Sequence, residues 1–155
     1  MNREILFRGK HIHSLPQNEH LNGTWVYGYL CDKNYINTVD EDEYGGKFTS
    51  EMLIDPETVC QYTGLTDKNG GKIFEGDIVK FRHGGEFSER GMWYRNYVVE
   101  YVNTFCTYGL RFRNKSIHFP CKQATVSMHD VEVIGNIFDN PELLKGGTEN
   151  ANPAN

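Results

Sequence analysis

Between Asp55 and Phe81 the chain reads DPETVCQYTGLTDKNGGKIFEGDIVKF, and this stretch carries its densest local folding instructions. Proline disfavours a helical conformation in the residue before it, so Asp55-Pro56 reads as extended or turning backbone. Thr58 to Thr63 follows as a strand. In Asp67-Lys68-Asn69-Gly70-Gly71 the Asp, Asn and Gly residues tolerate positive φ or bond their own backbone, which makes a turn. Ile73 to Phe81 resumes the extended pattern, with Gly76-Asp77 as a bend or bulge before Ile78, Val79 and Phe81.

The flanking segments read the same way. Ile5 to Lys10 opens as a strand with Phe7 inward, and His11 and His13 continue it. Ser14 to Gly23 is a polar loop. Thr24 to Cys31 alternates, with Trp25, Tyr27 and Tyr29 on one face and Val26, Gly28 and Leu30 on the other. Asp32-Lys33-Asn34 turns the chain into a return strand, Tyr35 to Val39, completing a hairpin. An acidic loop, Asp40 to Gly46, precedes another strand from Lys47 to Ile54. Beyond Phe81, Arg82 to Asn96 reads as a long hairpin tip or mobile insertion, because it is polar and carries Gly84, Gly85 and Gly91. Tyr97 to Val102 is a nearly continuous apolar run, the pattern of a strand buried on both faces. Leu110 to Phe119 forms a hairpin around Asn114-Lys115-Ser116, with Arg111 and Arg113 on its outer face. Val131 to Ile134 is a last strand. Asn140-Pro141-Glu142-Leu143-Leu144 supplies an N-cap, a first-turn proline and an acidic residue near the positive helix end, so a short helix closes the fold. Residues 145–155 have no apolar anchor and are expected to be disordered.

Three separated segments resemble one family. QYTGLTDKNGGKIFEGDIVKF is similar to the signature of the YopX-like family of phage and prophage proteins, and REILFRGK near the N-terminus and VEVIGNIFDNPELL from Val131 to Leu144 agree with it in order. The resemblance implies a viral or prophage origin and a mainly β fold over residues 1–144, and it brings no reaction or ligand with it.

Composition excludes several classes of function. At 155 residues the chain suits one domain with a proper core. Nine Tyr and nine Phe supply strand-compatible buried area. A formal charge of −5 argues against tight non-specific binding to duplex nucleic acid, which needs cations to neutralise phosphates. No window approaches the length of an apolar membrane span, and MNREILFRGK lacks the apolar core of a signal peptide. The cytosol of the host is therefore the expected compartment, with no membrane partner. There Cys31, Cys60, Cys106 and Cys121 stay reduced as small apolar fillers.

Candidate chemistry is thin. Asp40, Asp42, Gly45 and Glu51 overlay the first, third, sixth and twelfth positions of an EF-hand loop, but Tyr44 replaces an oxygen ligand and strands flank the loop in place of helices. An acidic loop facing water is the better reading. His11 and His13 share a strand face, and Cys106, His118, Cys121 and His129 offer soft ligands, yet neither group has the paired spacing of a zinc module. No metal or other cofactor is expected. There is no nucleophile elbow and no phosphate loop, and Glu75, Asp77 and Glu100 are as well explained by turns and strands as by acid–base pairing. A non-local active site is the remaining enzymatic alternative.

Binding residues are more visible. Arg90, Trp93, Tyr94 and Arg95 interleave cations with rings in the expected loop, Arg111 and Arg113 project from a strand, and Lys80 and Arg82 border them. Rings and cations on a β surface suit single-stranded nucleic acid. Trp, Tyr and Arg also dominate protein hot spots, and the acidic total favours that reading. The expectation is a mainly β domain, a partly open barrel or packed antiparallel sheets. Its function is non-enzymatic contact with a protein partner or with a second copy through edge strands, and single-strand binding is the alternative.

Overall fold

A computed structural model describes residues 4–13, 15–83, 91–112, 115–120, 131–145 and 149–150. Contacts gather the chain into two compact units, Met1–Gly64 and Leu65–Asn155. The fold is mainly β and antiparallel, as its alternating patterns require.

The first unit contains β1 (Phe7–His11), β2 (Trp25–Asp32), β3 (Tyr35–Glu41) and most of β4 (Lys47–Thr66). Pairing closes these strands on themselves. β1 lies between β2 and the second half of β4, while β3 lies between β2 and the first half of β4. One long strand thus serves two neighbours. The two segments expected either side of Asp55-Pro56 are a single strand with an irregularity there: β1 advances from Arg8 to Lys10 while its partner retreats from Cys60 to Asp55. Thr58 fills the gap in the ladder, its Oγ1 accepting from Lys10 N at 2.8 Å and donating to the Asp55 carbonyl at 2.7 Å. The bulge bends the strand, which lets it reach both partners. The polar segment before β2, expected as loop throughout, contains a 3-10 turn at Pro16–Leu21 that begins on its proline.

Val26, Ile36 and Ile54 form the core of this unit, joined by Phe7, Leu30, Met52 and Val59. Gly28 permits the closest approach in it. A Cβ there would stand 2.1 Å from the Asn37 carbonyl oxygen and 2.8 Å from Ile36 Cγ2, so only a residue without one lets β2 and β3 close.

In the second unit the end of β4 reverses through residues 67–71 into β5 (Lys72–Phe74). Asp67 organises the reversal. Its Oδ1 accepts from Asn69 N at 2.9 Å and Gly71 N at 2.8 Å, its Oδ2 accepts from Val133 N at 3.1 Å, and Gly70 takes the positive φ of 82°. A second reversal at Gly76, φ 77°, leads to β6 (Asp77–His83), with Phe74 N donating to buried Asp77 Oδ2 at 2.7 Å. The central signature therefore spends both its aspartates on backbone turns.

β6 pairs with β7 (Trp93–Val102) and β10 (Val131–Asn136), β7 with β8 (Thr107–Phe112), and β8 with β9 (Lys115–Pro120). The two-residue β11 (Glu149–Asn150) runs beside the start of β7. It falls in the stretch expected to be disordered, and the rest of residues 146–155 lies outside the described residues. The closing helix is reduced to one 3-10 turn, Pro141–Leu144. Pro141 begins it as expected, but Asn140 does not cap it. The Asn140 Oδ1 accepts instead from Asn136 N at 3.4 Å, and the turn ends at Lys145 before an α-helix can nucleate.

Ile73, Val79, Tyr97, Val99, Tyr108, Leu110 and Val131 make the second core, with Leu65, Phe81, Phe112 and Val133 against it. Tyr97 to Val102 is buried on both faces only in part, since Tyr101 is 44% exposed.

Candidate functional site

The expected long tip from Arg82 to Asn96 is shorter than its composition suggests. β6 continues to His83 and β7 begins at Trp93, so Trp93, Tyr94 and Arg95 are strand residues and not loop residues. Cross-strand pairing explains the difference, because His83 faces Trp93 and Arg82 faces Tyr94 in register. Rings opposite one another stabilise a ladder that polar composition alone argues against.

Alternation along β7 then separates the candidates. Trp93 and Arg95 point to the same face as Tyr97 and Val99, the face of the second core, whereas Tyr94 points to the other. On the core face, Trp93 stacks on His83 with ring centroids 4.0 Å apart and planes 9° from parallel. The Arg95 guanidinium lies 4.7 Å from the Trp93 ring centre and 4.3 Å from that of Phe112. Phe81 completes the group edge-on to His83 at 4.7 Å. This aromatic and cationic box sits where the core reaches the His83 and Trp93 ends of β6 and β7.

A hydrogen bond ties His83 to Tyr97. Tyr97 hydroxyl and His83 Nε2 are 2.7 Å apart. Burial, and then the charge of Arg95, hold the His83 imidazole below its ordinary pKa. Burial pushes the Tyr97 phenol above its own, with the Arg95 charge and a hydrogen bond from Arg95 pulling the other way. Near neutral pH both groups are therefore uncharged, and the imidazole tautomer sets which of them donates.

The other candidates lie apart from the box. Tyr94 carries Lys80 Nζ 4.8 Å from its ring centre on the opposite face. Arg111 pairs with Glu100, Nε to Oε2 at 2.5 Å, so its charge is already answered within the sheet. Arg90 and Arg113 lie outside the described residues. The four described candidates, Trp93, Tyr94, Arg95 and Arg111, do not assemble into one surface.

The acidic and metal-ligand candidates resolve in the same way. Asp42 Oδ1 accepts from Tyr44 N at 2.9 Å and Gly46 N at 2.7 Å, so this carboxylate holds its own turn. His11 and His13 meet edge to face at 5.3 Å, and burial followed by His13 lowers the His11 pKa. Among the described residues no three potential ligands gather as a metal site. The side chain of His118, and all of Cys121 and His129, lie outside the described residues. Glu75 and Glu100 are engaged separately, Glu75 Oε1 accepting from Tyr101 N at 3.4 Å. Among the described cysteines the filler reading holds at Cys60, which is buried, and not at Cys31 and Cys106, which are exposed.

A second surface was missed. On the first unit Tyr27 is 46% exposed, Tyr29 54% and Val39 53%. Tyr29 pairs with Asn37, and Asn37 pairs with exposed Glu51, so tyrosines, Val39 and Glu51 share the outer face of β2, β3 and β4. Trp25 ends the row, with Arg8 at 4.5 Å and Lys10 at 5.5 Å over its ring. The alternation of Trp25, Tyr27 and Tyr29 was visible in sequence. What sequence could not supply was the identity of the inner face: the closed ring fills with Val26 and Ile36, leaving the larger rings outside.

A small closed β ring and a six-stranded antiparallel sheet define a mainly β protein whose reversals are set by aspartate and glycine. The family model for YopX protein matches residues 12–145, and the chain belongs to the YopX family. Among solved structures it is similar to the crystal structure of protein EF1440 from Enterococcus faecalis, at 21% identity over 91% of this chain and 98% of that one, with a TM-score of 0.49. No curated protein matches it. No helix among the described residues is long and apolar enough to cross a membrane.

Proposed function

We propose that this YopX-family chain is a non-enzymatic accessory protein of phage or prophage origin that acts by protein contact, and that the tyrosine face of its first unit makes the contact. The observation that supports this reading is the coincidence of exposed rings with acidic charge. Tyr27, Tyr29 and Val39 are exposed on one face. Residues 1–64 hold five basic and ten acidic side chains, while residues 65–155 hold eleven of each, so the whole net charge belongs to the unit with the exposed rings. Tyrosine supplies large contact area at low entropic cost and dominates protein hot spots. A phosphate backbone is repelled by such a unit, and so is a second copy of it. The occupant that fits is a protein presenting a basic surface.

The test is capture from lysate of phage-infected host cells with wild-type protein and with a Tyr27→Ser, Tyr29→Ser variant as baits, at low and physiological salt. The reading expects a basic protein that the wild type retains and the variant loses. Equal recovery by both baits overturns the assignment of this face, and salt-sensitive recovery of nucleic acid by both overturns the choice of partner class.

A further inference from the structure

The second unit contains a cation, Arg95, that hydrogen-bonds to Tyr97 but pairs with no carboxylate among the described residues. Arg95 is half-buried between Trp93 and Phe112, and its Nε is buried with no hydrogen-bond acceptor. The ion pairs of Lys68 with Glu132 and of Arg111 with Glu100 do not involve Arg95. Across the ladder Arg95 faces Phe81, and its flanking rings offer π faces but no negative charge. Desolvating a guanidinium without a carboxylate costs stability, and stacking on rings offsets only part of that cost. A fold that needed only packing here would do better with an apolar side chain of the same length.

We infer that Arg95 is a receptor for an oxyanion, a carboxylate or phosphate group brought by a ligand, with Trp93 and Phe112 as the walls that orient the guanidinium. Planar guanidinium presents paired donors to either group, which is the geometry that lysine lacks. The rings hold the plane of the fork, so the orienting cost is met before the ligand arrives. His83 and Tyr97 report on the site. The charge of Arg95 acts on both of them. Neutralising that charge with an anion must therefore raise the midpoint of His83. The site is independent of the tyrosine face, which lies in the other unit.

The experiment is thermal unfolding and NMR of the whole chain in sodium phosphate, sodium acetate and sodium chloride at matched ionic strength. Phosphate or acetate should raise Tm relative to chloride, on the order of 3 °C at ten times the dissociation constant. The Arg95 Nε–Hε signal should shift with the same anion, and the His83 midpoint should rise. An Arg95→Met variant should be at least as stable as wild type in chloride and lose the response to the oxyanion. A response to acetate alone assigns the ligand group as a carboxylate, and a response to phosphate alone assigns it as a phosphate. The inference is overturned if chloride matches both anions, if Arg95→Met responds as wild type does, or if the Nε–Hε signal of the wild type is unmoved. That last measurement needs no variant to fold.

Discussion

Replacing Gly28 with alanine is the sharpest test of how the first unit closes. The added methyl would meet the Asn37 carbonyl oxygen at 2.1 Å, its carbon at 2.8 Å and Ile36 Cγ2 at 2.8 Å. Ordinary carbon contacts begin at about 3.5 Å, so relief requires β3 to move by about 1 Å. Ile36 is fully buried and cannot yield outward without opening the core. Overpacking of this kind costs about 1–3 kcal/mol. Displacing β3 also weakens the Tyr29–Asn37 and Leu30–Ile36 pairs, where each lost hydrogen bond costs about 1 kcal/mol. The expected loss for Gly28→Ala is therefore about 3–5 kcal/mol. Urea denaturation followed by Trp25 fluorescence reads it directly, in a Trp93→Phe background that leaves one tryptophan in the first unit. A loss below about 1 kcal/mol would refute the argument that the ring closes through Gly28.

Further outcomes follow from the two cores and the box. Ile54→Ala should cost about 2–5 kcal/mol in the same assay, because Ile54 is 1% exposed and joins Val26 and Ile36. Tyr97→Phe should cost about 1–2 kcal/mol, since it leaves His83 Nε2 without its hydrogen-bond partner, and it should alter the fluorescence of the stacked Trp93. Glu100→Gln should change stability by about 1 kcal/mol or less, because its pair with Arg111 is partly exposed. The lowered pKa of His83 and His11 sets a pH dependence. Both imidazoles are neutral in either state above their ordinary value near 6.5, so stability is full there. As pH falls below that value the unfolded chain takes up protons that the folded one refuses, and stability declines until the folded pKa is passed. Denaturation midpoints between pH 7.5 and about 5 would show the decline, and a flat profile would contradict the burial of both rings.

The fold was legible wherever a local rule decides. Asp67 to Gly71 turns because aspartate and glycine satisfy the turn by themselves, and Trp25 to Leu30 alternates because one face is inside. Pairing between distant segments was not legible. Asp55-Pro56 read as a break, yet Thr58 and β1 absorb it as a bulge within one strand. Trp93 to Asn96 read as loop because it is polar, yet His83 and Arg82 pair with it in register. The same cause scattered the candidate site: strand alternation sends Trp93 and Arg95 one way and Tyr94 the other. Arg111 was expected on an outer face, but its neutralisation by Glu100 depends on a partner in a different strand. The tyrosine face was written in the alternation, and only closure of the ring showed which half of the pattern faces water.

Photo-crosslinking tests the proposed contact most directly. A photoreactive phenylalanine analogue would replace Tyr29, and in a parallel sample exposed Tyr101 of the second unit, in cells that express the chain. The account expects a protein adduct at position 29 that is absent at position 101, with a basic protein as the crosslinked partner. An adduct confined to position 101, a nucleic-acid adduct at position 29, or none at position 29 would contradict it.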